Sequence, residues 1–180
     1  MRITRITPLF VDRYLLVEVE TDAGLTGTGE CGAWGHHEAA AAAIEKFAGY
    51  LVGKDPAPIE SHWNVMHRFG HFRGAAICAA ISGIDIALWD LKGQILGVPI
   101  HALLGGPTRE RARLYAHVKA PTRETMLALA LERKAQGYTA IGHLNPFLDE
   151  DRGSTYYKSH ARKIDDGVAV IAELREALGS

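Results

Sequence analysis

Residues 80–106 read AISGIDIALWDLKGQILGVPIHALLGG, and this stretch decides the fold of the first part of the chain. Apolar residues in and just before it recur at alternating steps of four and three, which predicts one buried stripe along an amphipathic helix. The members of the stripe are Ile77, Ile81, Ile84, Leu88, Leu91 and Ile95. Gly97 and Pro99 are expected to end the helix, because glycine accepts a left-handed backbone and proline cannot continue a helix. The glycines at 105 and 106, followed by Pro107, mark a domain boundary.

Alternating apolar residues before this helix predict three strands. The strands are expected at residues 3–9, 15–20 and 25–32. A turn at Asp22-Ala23-Gly24 joins the second and third strands, so an antiparallel meander is the simplest arrangement. An alanine-rich helix should follow from His36 and end at residues 54–58, where two prolines disfavour helical geometry. Another short helix should run from Pro58 to about Arg68.

After the boundary the pattern changes to strand, helix, strand, helix. The strands are expected at residues 113–119 and 138–144, and the helices at 122–136 and 161–178. Thr122 should cap the first of these helices and Gly137 should close it. Because strands and helices alternate within so short an interval, the strands are expected to be parallel and joined by helical crossovers.

Composition excludes several classes of protein. Hydrophobic residues at 47%, charged residues at 23% and a formal net charge of -1 are ordinary values, which predict neither disorder nor a nucleic-acid partner. The N-terminal apolar run contains charges, which argues against a secretory signal, and no uncharged apolar run reaches the ~18 residues of a membrane span. A cytoplasmic protein without membrane contact is therefore expected. Cys31 and Cys78 match no metal-binding or redox spacing and are expected to be free thiols.

The long helix resembles the signature helix of the mandelate racemase and muconate-lactonizing group of the enolase superfamily. The matching positions are Ala80, Ser82, Gly83, Ile84, Asp85, Ala87, Leu88, Asp90, Gly93, Gln94, Pro99, Ile100 and the Leu103-Leu104-Gly105 end. The resemblance implies an α+β capping domain at residues 1–110, a three-stranded antiparallel meander plus helices, followed at 111–180 by the first two βα units of a TIM-type barrel. A whole barrel needs about 250 residues, so the chain is expected to be the truncated front part of a longer enzyme.

Within this group the chain is most similar to galactonate-type acid-sugar dehydratases. The resemblance implies Mg²⁺-dependent loss of water from an aldonate through an enediolate, which gives a 2-keto-3-deoxy acid. The oxygen ligands of the metal are expected on barrel strands beyond residue 180. The expected partner is a small-molecule sugar acid, the expected assembly is a homo-oligomer, and the isolated chain is expected to be inactive. A racemase or cycloisomerase of the same group, and a non-catalytic cap-like binding or assembly module, remain open as alternatives.

The second barrel strand supplies two candidate catalytic residues, His143 and Asn145. Members of the group often carry a Lys-x-Lys pair here, and this strand has no lysine, which disfavours a racemase. Its His-Leu-Asn is similar to the Lys-Leu-Asn of galactonate-type dehydratases. Alternation along a strand would place His143 and Asn145 on one face, where the resemblance implies contact with the substrate carboxylate or a hydroxyl group. A capped strand end is the alternative interpretation.

Two loops of the capping domain are implied to set substrate specificity. The first contains Arg13 and Tyr14, and the second contains Trp34, His36 and His37. Arginine can bind a carboxylate through two parallel hydrogen bonds, while the aromatic rings could exclude water from a polyhydroxylated ligand. The alternative is that the second loop simply starts a helix.

Arg73 belongs to an aromatic-Arg-Gly segment similar to one in sugar-acid dehydratases. Both substrate contact and anchoring of the capping domain remain open for its side chain. Residues 27–32 spell G-x-G-x-x-G but are predicted to lie within a strand. Dinucleotide binding needs these glycines in a turn between a strand and a helix, so it is not expected here.

Overall fold

The computed structural model describes residues 1–142 and 159–179. The chain divides into two compact units, Met1–Thr108 and Arg109–Ser180. The elements in chain order are β1 Ile3–Val11, β2 Tyr14–Thr21, β3 Thr26–Glu30, α1 His37–Leu51, α2 Ile59–His67, α3 Ala75–Leu96, α4 Ile100–Leu103, β4 Ala116–His117, α5 Arg123–Ala135, β5 Ile141–Gly142 and α6 His160–Leu178. None of the helices in these described ranges combines the length and apolarity needed to cross a bilayer.

The first unit contains the predicted antiparallel meander, with the three strands in the order β1-β2-β3. Val11 pairs with Tyr14 across the first turn, and Leu16 pairs with Glu30 between the second and third strands. Burial alternates strictly along β2, because one side of this strand faces helices and the other does not. The buried side chains of the sheet and of α1 and α3 form one hydrophobic core. This unit is the α+β capping domain that the sequence predicted.

Glycines allow α3 to lie directly on β3. A Cβ atom at Gly29 would come within 2.0 Å of the carbonyl oxygen of Gly83, and one at Gly27 within 2.1 Å of the carbonyl oxygen of Ala87. From the helix side, a Cβ atom at Gly83 would lie 2.1 Å from Sγ of Cys31. The backbone of α3 thus packs directly against the backbone of β3 at Gly27 and Gly29. Residues 27–30 of the G-x-G-x-x-G sequence lie in β3, as expected, whereas Cys31 and Gly32 follow the strand; Gly27 and Gly29 allow the helix to pack closely.

Two side chains of α3 cover the open edge of β3. The Asp90 carboxylate accepts a hydrogen bond from the Thr28 N–H at 3.0 Å, and the Gln94 amide donates to the Thr26 carbonyl at 2.7 Å. The same Gln94 amide also donates to Asp90 at 3.1 Å. An unpaired strand edge can recruit another chain, so these bonds both attach the helix and protect the edge. Asp90 therefore has a structural role within the first unit.

The predicted apolar stripe of α3 is buried over its central part and exposed at its end. Ile84 and Leu91 are fully buried, whereas Ile95 is 47% exposed. The amide of Gln94 already reaches Thr26, the first residue of β3, so the last turn of the helix extends past the sheet. Gly97 then ends the helix in the left-handed conformation at φ 66°, as the sequence predicted.

The first helix ends earlier than its prolines predicted. α1 stops at Leu51, which is fully buried, and Gly53 follows at φ 82°. The Gly53 N–H donates to the Ile3 carbonyl at 2.8 Å, and the Ile3 N–H donates to the Lys54 carbonyl at 2.9 Å. Pairing with the start of β1 therefore draws the chain out of the helix before the first proline, Pro56, is reached.

Burial makes Cys31 sensitive to alkaline pH. Its side chain is fully buried, and this burial, with a smaller contribution from the charge of Glu30, raises the pKa of the thiol from 9.0 to about 11. The folded chain therefore keeps the proton at pH values where the unfolded chain loses it. The contribution of Cys31 to the free energy of unfolding should be constant below pH 9 and should fall from there to about pH 11.

Urea unfolding of the wild type and of Cys31→Ala, from neutral pH to about pH 11, tests this expectation. The free energy of unfolding of the wild type should fall more steeply at alkaline pH than that of the variant. Lysines and tyrosines titrate in both proteins, so the difference isolates the thiol. Identical pH dependence in the two proteins would contradict the expectation.

The second unit has the strand-helix-strand-helix order that the sequence predicted. β4 and β5 are parallel, with Ala116 opposite Ile141 and His117 opposite Gly142. The helices α5 and α6 contribute to a second hydrophobic core, which contains Val118, Met126, Ala130, Val170 and Leu174.

Local bonds of the second unit fix its strand register and its first helix. The Arg113 guanidinium donates to both the hydroxyl and the carbonyl of Thr139, at 2.9 and 2.6 Å, and so ties together the segments that enter β4 and β5. Thr122 and Thr125 form a reciprocal capping box at the start of α5. Gly137 follows this helix at φ 90°, where glycine carries no steric penalty.

Candidate functional site

Three of the predicted substrate-binding residues lie together at one end of the meander. The antiparallel register places the start of β2 beside the end of β3, so the first turn and the segment after β3 are neighbours. The Arg13 guanidinium lies 5.1 Å from the ring centroid of Tyr14 and 5.2 Å from that of Trp34. The two rings meet edge to face, with their centroids 6.3 Å apart. We call Arg13, Tyr14 and Trp34 the cationic-aromatic cluster.

The charge of Arg13 is held in place by its neighbours. Its guanidinium donates a hydrogen bond to the Tyr14 hydroxyl at 2.8 Å, and this bond, together with the interaction of the two charges when Tyr14 ionises, raises the pKa of Arg13 above its usual value. The guanidinium also lies over both rings, an arrangement that restrains a long side chain. Asp12, which precedes it in the turn, has φ 52°, a conformation that aspartate tolerates better than most residues. A restrained, exposed cation of this kind is suited to binding an anion.

Trp34 and the two histidines occupy the connection between β3 and α1. Trp34 is 62% exposed although it contacts Arg13 and Tyr14. His36 is the N-cap of α1, but its side chain makes no capping hydrogen bond, and its backbone N–H donates to the Ala33 carbonyl at 2.8 Å. His37 is the first helical residue and is half-buried. Both alternatives for this loop are therefore compatible with its geometry, since it starts a helix and also presents an exposed ring.

Arg73 has a structural contact. Its Nε donates to the carbonyl of His67, the last residue of α2, at 2.6 Å, and satisfies one of the carbonyl groups that a helix end leaves unpaired. Phe72, beside it, is 94% exposed. The bond holds the segment between α2 and α3 against the end of α2. A role of Arg73 in substrate contact stays a prediction.

The two predicted catalytic residues, His143 and Asn145, lie outside the described residues. β5 is Ile141–Gly142, and His143 is the next residue in the chain. The acidic Asp149, Glu150 and Asp151 also lie outside the described ranges.

The described residues do not form a metal site. Among residues 1–142 and 159–179, no three side chains of His, Cys, Asp or Glu lie close enough together to hold a metal ion. Asp85, one of the two acids of the signature helix, is half-buried. Burial first, and then the charge of Glu60, raise the pKa of its carboxyl group above the usual value.

Sequence reasoning missed two polar features. His62 is only 4% exposed and makes two hydrogen bonds, to Tyr50 and to the Asp55 carbonyl, but nothing in its helical position predicts its burial. The second feature is a pair of exposed side chains, His117 at the end of β4 and Lys119 just beyond it. Their signal was present in the sequence, because they alternate with the apolar Ala116 and Val118.

Comparisons with known proteins agree with this architecture. Residues 4–105 match the family described as mandelate racemase / muconate lactonizing enzyme, N-terminal domain. A D-galactonate dehydratase of Xanthomonas oryzae pv. oryzae (strain PXO99A) is 40% identical over 184 aligned residues, which cover 100% of this chain and 46% of that protein. A D-galactonate dehydratase of Verminephrobacter eiseniae is 39% identical with the same coverage. The chain thus spans about half the length of the curated relatives it matches.

Solved structures show the same fold. A member of the enolase superfamily from Salmonella Typhimurium superposes with a TM-score of 0.86 at 29% identity, over 99% of this chain and 52% of that one. An enolase from Pantoea ananatis, solved with bound D-gluconate and Mg, has a TM-score of 0.71 at 34% identity, over 78% of this chain and 35% of that one. The family match covers β1 to α4, and the structural match to the Salmonella protein extends through nearly the whole chain. The chain therefore belongs to the mandelate racemase and muconate lactonizing enzyme family of the enolase superfamily.

Proposed function

We propose that the protein containing this chain is an acid-sugar dehydratase that converts an aldonate such as D-galactonate into a 2-keto-3-deoxy acid. One observation carries the proposal: the 40% identity with a D-galactonate dehydratase runs through 100% of the chain, across both of its units. The structural relative with bound D-gluconate supports the same class of substrate. The product follows from the chemistry, since loss of the C2 proton and the C3 hydroxyl leaves an enol that becomes the 2-keto group.

Within the first unit, we assign recognition of the sugar acid to the cationic-aromatic cluster. The exposed guanidinium of Arg13 is a planar donor that matches a carboxylate. Tyr14 and Trp34 offer apolar ring surfaces with polar tips, a combination suited to a ligand that carries both C–H groups and hydroxyls. His36, His37 and Arg73 are proposed as further substrate contacts, and His143 and Asn145 as contacts to the carboxylate or a hydroxyl.

The proposed reaction depends on Mg²⁺, which would stabilise negative charge as it develops on the substrate carboxylate. Mg²⁺ requires several oxygen ligands in near-octahedral geometry, and the described residues provide no such cluster. In line with the family resemblance, we assign its ligands to barrel strands beyond residue 180. It follows that the 180 residues alone should not dehydrate aldonates. We also propose that the protein is cytoplasmic and assembles as a homo-oligomer, which light scattering after gel filtration would measure.

The direct test uses the protein expressed from its complete reading frame. Formation of 2-keto acid from D-galactonate and D-gluconate is measured as the semicarbazone, with added Mg²⁺ and with EDTA. We expect Mg²⁺-dependent product with at least one aldonate. Exchange of the C2 proton without loss of water would instead indicate a racemase, and substrate binding with neither reaction would indicate a non-catalytic module.

Arg13→Gln tests the assigned binding group. Loss of a charge-assisted hydrogen bond typically costs about 1.5–3 kcal/mol, so kcat/KM for the aldonate should fall by about tenfold to a hundredfold. Arg68→Gln is the matched control, because Arg68 is another exposed arginine of the first unit and lies outside the cluster. An unchanged kcat/KM in Arg13→Gln, or an equal loss in the control, would contradict the assignment of Arg13 as a substrate-binding residue.

A further inference from the structure

The strand β4 has one face in the hydrophobic core and another that carries polar side chains. Burial alternates along it and just beyond: Ala116 and Val118 are buried, at 6% and 0% exposure, while His117 and Lys119 are exposed. Val118 belongs to the core formed with α5 and α6, so the helices cover that face. Side chains of a strand point alternately to opposite faces. His117 and Lys119 therefore share the face that the helices leave open.

The ring of Tyr115 organises this open face. It stacks on the ring of His117, with the centroids 5.0 Å apart and the planes 26° apart. The same ring lies over Gly142 of β5, where a Cβ atom would come within 2.8 Å of two ring carbons. The glycine therefore makes room for the tyrosine, and the tyrosine holds the imidazole of His117 from one side. A ring fixed in this way presents its nitrogen atoms in a restricted direction.

The position and the chemistry of these groups suit an acid ligand. His117 is the last residue of β4, and Lys119 follows two positions later on the same face. In parallel α/β barrels, groups that contact substrate come from the C-terminal ends of the strands. Within residues 1–142 and 159–179, no carboxylate forms an ion pair with Lys119. A lysine ammonium and an imidazole N–H are both donors to an oxyanion.

We propose that His117 and Lys119 bind the carboxylate of the sugar acid, with Tyr115 as the residue that positions His117. This proposal rests on the proposed function, because it takes an aldonate as the ligand. It adds a specificity determinant on β4. It also places a positive charge in the second unit, just after β4 and before the predicted contacts His143 and Asn145 in the chain.

The test measures the dissociation constant for D-galactonate and D-gluconate by calorimetry, with the neutral alditol galactitol as the reference ligand. The protein is again expressed from its complete reading frame, and turnover is assayed in parallel. Lys119→Met removes the charge, Lys119→Arg keeps it, and His117→Phe keeps a ring for Tyr115 to stack on while removing both nitrogen atoms. Arg123→Gln is the control, since Arg123 is an exposed cation at the start of α5. Thermal unfolding and circular dichroism establish that each variant is folded.

We expect Lys119→Met and His117→Phe each to weaken aldonate binding by about tenfold to a hundredfold, the loss typical of a charge-assisted hydrogen bond. Lys119→Arg should retain most of the affinity, and galactitol binding should not change in any variant. Unchanged aldonate affinity in both folded variants overturns the inference while leaving the dehydratase proposal intact. Charge-dependent binding without turnover in the wild type supports the inference and counts against the dehydratase proposal. A wild type that binds no aldonate overturns both.

Discussion

Gly29→Ala is expected to lower the free energy of unfolding of the first unit by about 3 kcal/mol or more, near or above the upper end of typical overpacking effects. The new methyl group would lie 2.0 Å from the carbonyl oxygen of Gly83, a backbone atom that cannot rotate away. Relief requires α3 to move off β3, which would also stretch the hydrogen bonds from Thr28 to Asp90 and from Gln94 to Thr26. Urea unfolding of the 180-residue chain, followed by circular dichroism, measures the change.

The chain contains its own control for this substitution. Gly49 lies within α1, and outside the local backbone of that helix no atom lies within 4 Å of the position that its Cβ would take. Gly49→Ala should therefore raise the free energy of unfolding by about 0.5–1 kcal/mol, because alanine favours the helix more than glycine does. The same chemical change is thus expected to act with opposite sign at the two positions. If Gly29→Ala is as stable as the wild type, the result contradicts the close packing of α3 on β3.

His62→Phe should cost about 2–3 kcal/mol, although the substitution replaces one ring with another. The Nε2 of His62 donates to the Asp55 carbonyl at 2.7 Å, because a carbonyl can only accept, and Nδ1 then accepts from the Tyr50 hydroxyl at 3.1 Å. The imidazole thereby connects the end of α1, the proline segment and α2. Phenylalanine fills the space but leaves the carbonyl and the hydroxyl without this partner in a largely buried site.

Tyr50→Phe separates the two hydrogen bonds of His62. It removes only the hydroxyl and should cost about 1 kcal/mol. In the double variant the hydroxyl and the imidazole are both absent, so the total loss should be smaller than the sum of the two single losses. Strict additivity of the two losses would mean that Tyr50 and His62 do not interact. A loss below about 0.5 kcal/mol for His62→Phe would mean that the ring at this position stabilises the fold by filling space and not through its hydrogen bonds.

The helix ends show which parts of the fold can be predicted from sequence. Gly97 and Thr122 act through their own backbone or side chain, so the end of α3 and the start of α5 were predicted correctly. The end of α1 depends on pairing between Gly53 and Ile3, residues far apart in the chain, and was predicted too late. A helix end that is set by its own residues can be predicted from the sequence, whereas a helix end that is set by pairing with a distant segment cannot.

The candidate site also has features that could be predicted from the order of the strands and features that could not. Arg13 and Trp34 were predicted separately as loop residues, and the antiparallel order of the strands was enough to expect them at the same end of the sheet. The hydrogen bond from Arg13 to Tyr14 and the stacking of Tyr115 on His117 depend on side-chain conformations that no spacing specifies. The roles of His143 and Asn145 stay predictions. The hydrogen bond that Asp90 accepts from the strand edge also explains why a carboxylate in the signature helix need not take part in catalysis.

Because Gly83 of α3 packs on Cys31, the rate at which Cys31 is alkylated can report motion of α3 away from β3. Alkylating reagents attack the thiolate, so a fully buried thiol with a pKa of about 11 should react slowly, while the exposed Cys78 should react at once. Because Gly83 of α3 packs on its sulfur atom, Cys31 is expected to become accessible when α3 separates from β3. The rate of the second alkylation therefore reports how often the native chain opens along this contact, with no foreign probe introduced. The change in the rate of Cys31 alkylation would then measure how strongly a substrate, a partner or a change of temperature affects this opening.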